Sequence, residues 1–217
     1  QVFLDCSYGF RPGRSAHDAL RTLNAAAYRG EIGWVLEADI ESFFDSIDRK
    51  KLKQMIEQRI DDRSLMRLVG KCLHVGVLEE DAKYSEPETG TAQGSRLSPL
   101  LGNIYLHYAL DAWFQDDVRP RLRGRAKLIR YADDFVIGFE RQDDAERVMA
   151  VISARMQRFG LRLHPDKTRL RPFQRPTWRL PPGEIRREPE TFDFLGFTVF
   201  WVKSRRGSWV FGMKTLA

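Results

Sequence analysis

The sequence predicts an α+β fold in which an antiparallel sheet packs on helices. Segments with apolar residues at helical spacing are mixed with β-branched and aromatic runs, without a regular βαβ alternation. The second observation is the stretch Ala126-Lys-Leu-Ile-Arg-Tyr-Ala-Asp-Asp-Phe-Val-Ile-Gly-Phe139, where two apolar, β-prone runs flank an acidic doublet. It reads as a hairpin with Asp133 and Asp134 at its tip. Adjacent aspartates repel each other and are costly to desolvate unless a cation neutralises them. Asp61-Asp62, Glu79-Glu80, Asp116-Asp117 and Asp143-Asp144 are acidic pairs too, and read as helix starts or solvated faces. The apolar sequence on both sides sets Asp133-Asp134 apart.

Taken in order, residues 1–14 form an extended, turn-rich loop with Arg11 and Arg14. Ser15 caps a helix with Asp18 in capping-box spacing, Ala19, Leu20, Leu23 and Ala27 make its apolar stripe, and Gly30 stops it. Trp34 to Ile40 is a strand with Leu36 and Ala38 on one face and Val35, Glu37 and Asp39 on the other, so Asp39 ends a buried strand. Asp48 caps the next helix, with Leu52, Met55, Ile56 and Ile60 inward. Another helix starts near Arg63, with Leu65, Leu68, Val69, Cys72 and Leu73 as its stripe. After a charged connection, Ser98 as cap and Pro99 as first helical residue open a long helix, with Leu101, Ile104, Tyr105 and Tyr108 inward. The hairpin follows, then a helix from about Asp143 with Val148, Ile152, Met156 and Phe159 inward and Gly160 as its stop. Leu161 to Leu163 is a short strand, and the prolines from Pro172 to Pro189 mark an irregular loop. Phe192 to Trp201 is one strand, with Trp209 to Phe211 as a possible hairpin partner.

With 217 residues the chain can bury one substantial core, or one core with a lobe attached. It carries 36 Lys+Arg against 30 Asp+Glu, a net charge of +6, which favours a polyanionic partner over an acidic membrane surface, while a soluble, mildly basic protein with scattered charge fits the composition about as well. Cys6 and Cys72 stand far apart in no ligand spacing, which argues against a disulfide framework or zinc ribbon and for a reducing cytosol. No run is long and apolar enough to span a membrane. The chain opens mid-pattern at Gln1, so a fragment of a longer protein is expected.

If Asp39 at a strand end lies beside Asp133 and Asp134, three carboxylates meet at one sheet edge. Hard oxygen ligands in that number suit Mg²⁺, and two such ions would serve an in-line phosphoryl displacement. Asp39 taken alone reads first as a strand-end turn former.

Six motifs then stand in order: Tyr8-Gly-Phe-Arg-Pro-Gly-Arg-Ser-Ala-His17, Ala38-Asp-Ile-Glu-Ser-Phe-Phe-Asp45, Gln93-Gly-Ser-Arg-Leu-Ser-Pro-Leu-Leu-Gly-Asn103, Tyr131-Ala-Asp-Asp134, Gly160-Leu-Arg-Leu-His-Pro-Asp-Lys-Thr168 and Phe194-Leu-Gly-Phe197. Together they resemble the reverse transcriptase/maturase of bacterial group II introns over nearly the whole chain. The resemblance implies a right-hand polymerase palm (31–48 and 93–217) with partial fingers (1–30 and 49–92). The N-terminal fingers segment and the thumb and maturase regions would lie outside this chain. It implies RNA-directed DNA synthesis with two Mg²⁺, or Mn²⁺ in their place, on an RNA template with a DNA or RNA primer and dNTPs. Intron RNA is a further implied partner, in a bacterial cytoplasm.

By the same resemblance, Asp39 and Asp133 look like direct metal ligands, with Asp134 contributing less directly and Ile40 through its carbonyl. Lys167 matches the lysine near the triphosphate. Backbone N–H groups of Ser42 and Phe43 resemble those that hold it. Phe44 matches the aromatic against the nucleotide sugar, Gln93 a nucleotide or template contact, and Phe194 to Phe197 the primer grip. Core packing is the other reading of these aromatics. Ala92 and Arg96 depart from the family's commoner residues, which touches loop rigidity and template contact. Arg11 and Arg14 are candidates for phosphate contact without a matched role. Two other readings stay open: a polymerase-like RNA-binding scaffold without synthesis, and a retron-like, diversity-generating or CRISPR-associated reverse transcriptase.

Overall fold

A computed structural model describes residues 3–73, 77–78, 84–85, 97–176 and 189–216; for 72–73, 77–78 and 84–85 only the backbone is described. Helix α1 (Ala16–Tyr28) begins at a complete capping box between Ser15 and Asp18. Strand β1 (Trp34–Ala38) leads through the one-turn helix α2 (Phe43–Ser46) to α3 (Arg49–Glu57), whose Lys51 N–H is capped by Asp48. Helix α4 (Arg63–Leu73) follows, then the paired short strands β2 (Val77–Leu78) and β3 (Tyr84–Ser85). Helix α5 (Ser98–Leu106) continues through π-helical turns to Val118. Next come β4 (Ala126–Tyr131), β5 (Asp134–Phe139), α6 (Gln142–Gln157), β6 (Arg169–Pro172), β7 (Phe192–Phe194), β8 (Phe197–Lys203) and β9 (Trp209–Thr215).

The main sheet has the order β4-β5-β1-β6 and is antiparallel throughout; β7-β8-β9 form a second antiparallel sheet. Side-chain alternation sends Leu36, Ala38, Phe135, Ile137 and Phe139 to one face, against Leu101 and Tyr105 of α5 and Val148 and Ile152 of α6. Val35, Ile129 and Val136 face the other way, onto Leu20 and Leu23 of α1 and Phe192 and Val199 of the second sheet. Each such side chain contributes about 1.5–3 kcal/mol by leaving water. With both faces covered, the central strands are held rigidly, and so are the residues at their ends.

The fold is the expected α+β class, and five local expectations change. The run from Phe192 to Trp201 is two strands rather than one, because Leu195 and Gly196 both take positive φ (54° and 77°) and turn the chain back. Residues 169–172, expected to lead into a loop, form β6, an edge strand whose last residue is a proline with no N–H to lose there. The expected strand at 161–163 reduces to a bridge between Ile40 and Leu163. On α4, Leu65 and Leu68 are 41% and 56% exposed while Met66 is buried and Val69 packs on the core, since contact with α3 selects that face. The expectations for Cys72 and Leu73 fall outside the described side chains. Leu97 rather than Ser98 takes the N-cap of α5.

Arg155 of α6 donates Nε and Nη2 to the carbonyls of Ala109 and Tyr108 in the π-helical stretch, both at 2.9 Å, which ties that stretch to α6. Asp111 lies in this stretch and is fully buried.

Candidate active site

The β1–β5 register runs from Trp34↔Phe139 to Ala38↔Phe135. Asp39, one residue beyond, therefore comes alongside Asp134, although more than ninety positions separate them. The hairpin turns through Ala132 and Asp133 between the paired Tyr131 and Asp134. Of the two central residues only Ala132 has positive φ (56°), the pattern of a II′ turn, a position that usually takes glycine. That conformation puts Asp133 at the tip.

The backbone after Asp39 is tied on its other side. His164 N–H donates to the Asp39 carbonyl at 2.8 Å and Glu41 N–H to the Arg162 carbonyl at 2.9 Å. In an antiparallel pair bonded this way, the N–H and C=O of Ile40 face away from Leu163, toward the hairpin side of β1. The Ile40 side chain is core. Residues 164–168 close on the His164 carbonyl, which accepts from the N–H groups of Lys167 and Thr168 and from the Thr168 hydroxyl. This turn presents Lys167, whose Nζ lies 2.6 Å from Asp39 Oδ2.

Burial holds the Asp133 carboxyl above its ordinary value, and the neighbouring Asp39 charge adds to it. Asp134 is pushed up to about 6, by burial first and by Asp133 and Asp39 after it, although the Leu195 N–H donates to its Oδ2 at 3.0 Å. The site therefore carries more negative charge than its surroundings neutralise.

The expectation that three carboxylates converge needs correction. Among the described residues, no group of three or more His, Cys, Asp and Glu side chains lies close enough to hold a metal ion together. Asp134 instead accepts from the Leu195 N–H at 3.0 Å. The remaining donors, Asp39, Asp133 and the Ile40 carbonyl, are all hard oxygens. They fit Mg²⁺, which binds through one or two carboxylates and fills its shell with water and substrate phosphates.

Ser42 takes a left-handed backbone (φ 42°, ψ 48°) ahead of α2, one of four non-glycine residues with positive φ among those described. Ala132, in the acidic turn, and Leu195, whose N–H donates to Asp134, are two others, and strained backbone of this kind clusters at functional sites. Phe43 is buried; Phe44 is half-buried, with ring centroids 5.1 Å apart. A side chain on Gly102 of α5 would meet both rings, at 2.9 Å from Phe43 and 3.2 Å from Phe44. Gln93 lies outside the described residues.

Phe192 and Phe194 are core. Arg11 is also buried, and its Nη1 donates to the carbonyls of Leu4 and Ser7, both at 2.7 Å. Arg14 pairs with Asp5 at 2.6 Å. Both arginines tie the N-terminal loop together.

Sequence reasoning passed over Arg130. It is fully buried beneath the hairpin turn and bonded to Ser7, Asn103, Asp111 and the Ala132 carbonyl. The signal was present as a lone arginine inside the apolar run Leu128-Ile129-Arg130.

The reverse transcriptase (RNA-dependent DNA polymerase) family model matches residues 1–199. The chain belongs to the reverse transcriptase family. Over 106 residues this reverse transcriptase chain is 45% identical to the group II intron-encoded protein LtrA of Lactococcus lactis subsp. cremoris, covering 49% of this chain and 17% of LtrA. It is 32% identical over 203 residues to protein YkfC of Escherichia coli (strain K12), 77% of this chain and 52% of YkfC. An uncharacterized 91 kDa protein in the cob intron of Schizosaccharomyces pombe is 34% identical over 169 residues, 75% of this chain and 20% of that protein. The reverse transcriptase chain thus spans at most about half the length of these relatives.

Among solved structures, apo telomerase from Candida tropicalis truncated from the C-terminal domain superposes with a TM-score of 0.66 at 15% identity, covering 97% of this chain and 41% of that one. Telomerase from Candida albicans in complex with a TWJ fragment of telomeric RNA gives 0.60 at 14% identity, covering 90% and 33%. At such identities the likeness is one of fold, the polymerase palm of reverse transcriptases. No helix among the described residues is long and apolar enough to cross a membrane.

Proposed function

We propose that this chain is the catalytic core of an RNA-directed DNA polymerase that adds dNTPs to a DNA or RNA primer on an RNA template, in the setting of group II intron mobility in a bacterial cytoplasm. One observation carries the reading: the β1–β5 register lands Asp39 beside the Asp133-Asp134 tip. The palm fold and the group II intron-encoded relatives support it. A telomerase neighbour bound to an RNA fragment supports RNA as a partner, and the intron-encoded relatives support intron RNA as a further one.

Asp39, Asp133 and the Ile40 carbonyl would hold two Mg²⁺, with Mn²⁺ as a substitute, and Asp134 would back them from the other side of the turn. When bound, such ions supply Lewis-acid activation of a primer hydroxyl and charge stabilisation at the departing pyrophosphate. Lys167, which lies beside Asp39, would neutralise or protonate that pyrophosphate. The half-buried ring of Phe44 would exclude a ribose 2′-hydroxyl, and the N–H groups of Ser42 and Phe43 would bind the triphosphate. Gln93 would contact nucleotide or template. Residues 1–30 and 49–92 would act as partial fingers, and 31–48 and 93–217 as palm.

The test is Mg²⁺-dependent primer extension on an RNA template by the full-length protein that contains this chain. Asp133→Asn is expected to abolish incorporation while RNA affinity stays unchanged or rises. Synthesis retained by that variant rejects the metal assignment. An intact protein that binds RNA and never extends a primer returns the chain to a binding scaffold.

A further inference from the structure

Beneath the acidic turn lies a buried polar network that draws on three separate pieces of the chain, the N-terminal loop, the long helix and the hairpin. All five N–H groups of Arg130 are used. Nε and Nη2 make a bidentate pair with Asp111 at 2.8 and 2.6 Å, and Nη2 also donates to Ser7 Oγ at 2.9 Å. Nη1 donates to Asn103 Oδ1 at 2.9 Å and to the Ala132 carbonyl at 2.8 Å. Asn103 passes the connection on, its Nδ2 donating to the Gly9 carbonyl at 2.7 Å. The backbone closes the circuit, since Tyr8 N–H donates to the Arg130 carbonyl and Arg130 N–H to Cys6. Gly9 then lies so close to the turn that a Cβ there would collide with the Ala132 nitrogen.

A buried ion pair with every donor satisfied adds little stability over well-packed apolar side chains, so its worth lies in the geometry it imposes. Here the geometry bears on one peptide unit. The Ala132 carbonyl belongs to the bond that leads into Asp133, and Ala132 holds a backbone conformation that alanine disfavours. Without a fixed donor at that carbonyl, the turn has a cheaper conformation to relax into, and the Asp133 carboxylate would move with it.

We propose that Arg130 is a positioning residue for the Asp133 carboxylate, and that Asn103 joins it to Ser7–Gly9 so that the N-terminal loop and the long helix jointly set the height of the acidic turn. Arg130 touches neither substrate nor metal; it acts through the Ala132 carbonyl. The inference rests on the reading of Asp133 as a metal ligand.

The experiment measures Mn²⁺ binding by water-proton relaxation in the full-length protein, beside the Mg²⁺ dependence of primer extension, RNA affinity and thermal melting. Asn103→Ala leaves the Arg130–Asp111 charge pair whole and removes the link to Gly9. It is expected to weaken Mn²⁺ binding about tenfold, as loss of a residue supporting a metal ligand does, and to raise the Mg²⁺ requirement in step, with RNA affinity unchanged. Arg130→Lys, which cannot serve Asp111, Asn103 and Ala132 together, is expected to lose more. Should Arg130→Lys fail to fold, Asn103→Ala carries the test alone. A lowered melting temperature with Mn²⁺ affinity unchanged means that the network only packs the core, and overturns the inference. A wild-type protein that binds Mn²⁺ without extending primers overturns the polymerase reading and leaves this one standing. Absence of Mn²⁺ binding by the wild type overturns both.

Discussion

Lys167 and Asp39 stand 128 positions apart in sequence and 2.6 Å apart in space. The pair joins the carboxylate at the end of β1 to the turn at residues 164–168, so one side chain of the candidate metal site is already matched with a cation. The contact with Asp39 holds the Lys167 ammonium above its ordinary pKa, first through the hydrogen bond and then through charge. A lysine raised in this way stabilises the fold below its unfolded pKa and loses that contribution only as pH rises through the folded value, in alkaline solution. It is charged throughout the neutral range.

Lys167→Met should therefore separate chemistry from folding. The pair is more than half exposed on the lysine side, so its removal is expected to leave the melting temperature nearly unchanged. Single-turnover incorporation should slow by about 10²-fold if Lys167 serves the leaving pyrophosphate. An unchanged single-turnover rate would return Lys167 to a surface ion pair.

Asp134 predicts a pH dependence. Its pKa is pushed from 3.8 up to about 6 in the fold. The native state binds that proton more tightly than the unfolded chain does. Its contribution to stability is then complete below about 4 and is lost as pH rises through about 6. Asp134→Asn removes this slope and keeps an acceptor for the Leu195 N–H. In EDTA, denaturant titrations above pH 7 should find the variant more stable than wild type by on the order of 1–2 kcal/mol, a figure already reduced for partial exposure. The advantage should shrink toward pH 4. A constant difference across that range contradicts the assignment.

Phe44→Val opens space at the edge of the core beside the acidic tip. The expected result is incorporation of ribonucleotides that the wild type rejects, read from the ratio of kcat/KM for dNTP and rNTP. Unaltered discrimination would make Phe44 a packing residue alone.

Gly102→Ala tests the same ring from behind. The added methyl comes within 2.9 Å of Phe43 and 3.2 Å of Phe44, so the rings must shift. Overpacking of this kind typically costs about 1–3 kcal/mol. The displaced Phe44 should also alter dNTP KM more than a core substitution of equal cost far from the site, such as Ile152→Val. Equal effects on KM would detach Gly102 from the nucleotide.

Elements whose ends are set by local chemistry were legible in advance. The Ser15–Asp18 capping box, the Asp48 cap, the Gly160 stop and the hairpin around Asp133-Asp134 each depend on residues a few positions apart, and each appears where expected. Where a local pattern admits two solutions, neighbours chose. Met66 and Val69 rather than Leu65 and Leu68 face α3, and the Leu195-Gly196 turn splits a run that alternation alone would keep whole. Strand β6 escaped notice because Arg169-Leu-Arg-Pro172 has little β-forming character and is a strand only because β1 supplies a partner.

The sequence by itself determined the fold class, the acidic hairpin and the ordered set of motifs, since these follow from spacing and side-chain chemistry along the chain. Only the tertiary structure decided that Asp39 stands beside Asp134, that Asp134 turns toward Leu195, and that Arg11 and Arg14 serve the loop that carries them. It alone also revealed Arg130 under the turn. Pairing register and the sharing of buried hydrogen-bond donors are long-range conditions, met when strands and loops distant in sequence close on one core, and no local spacing encodes which partner each residue will find.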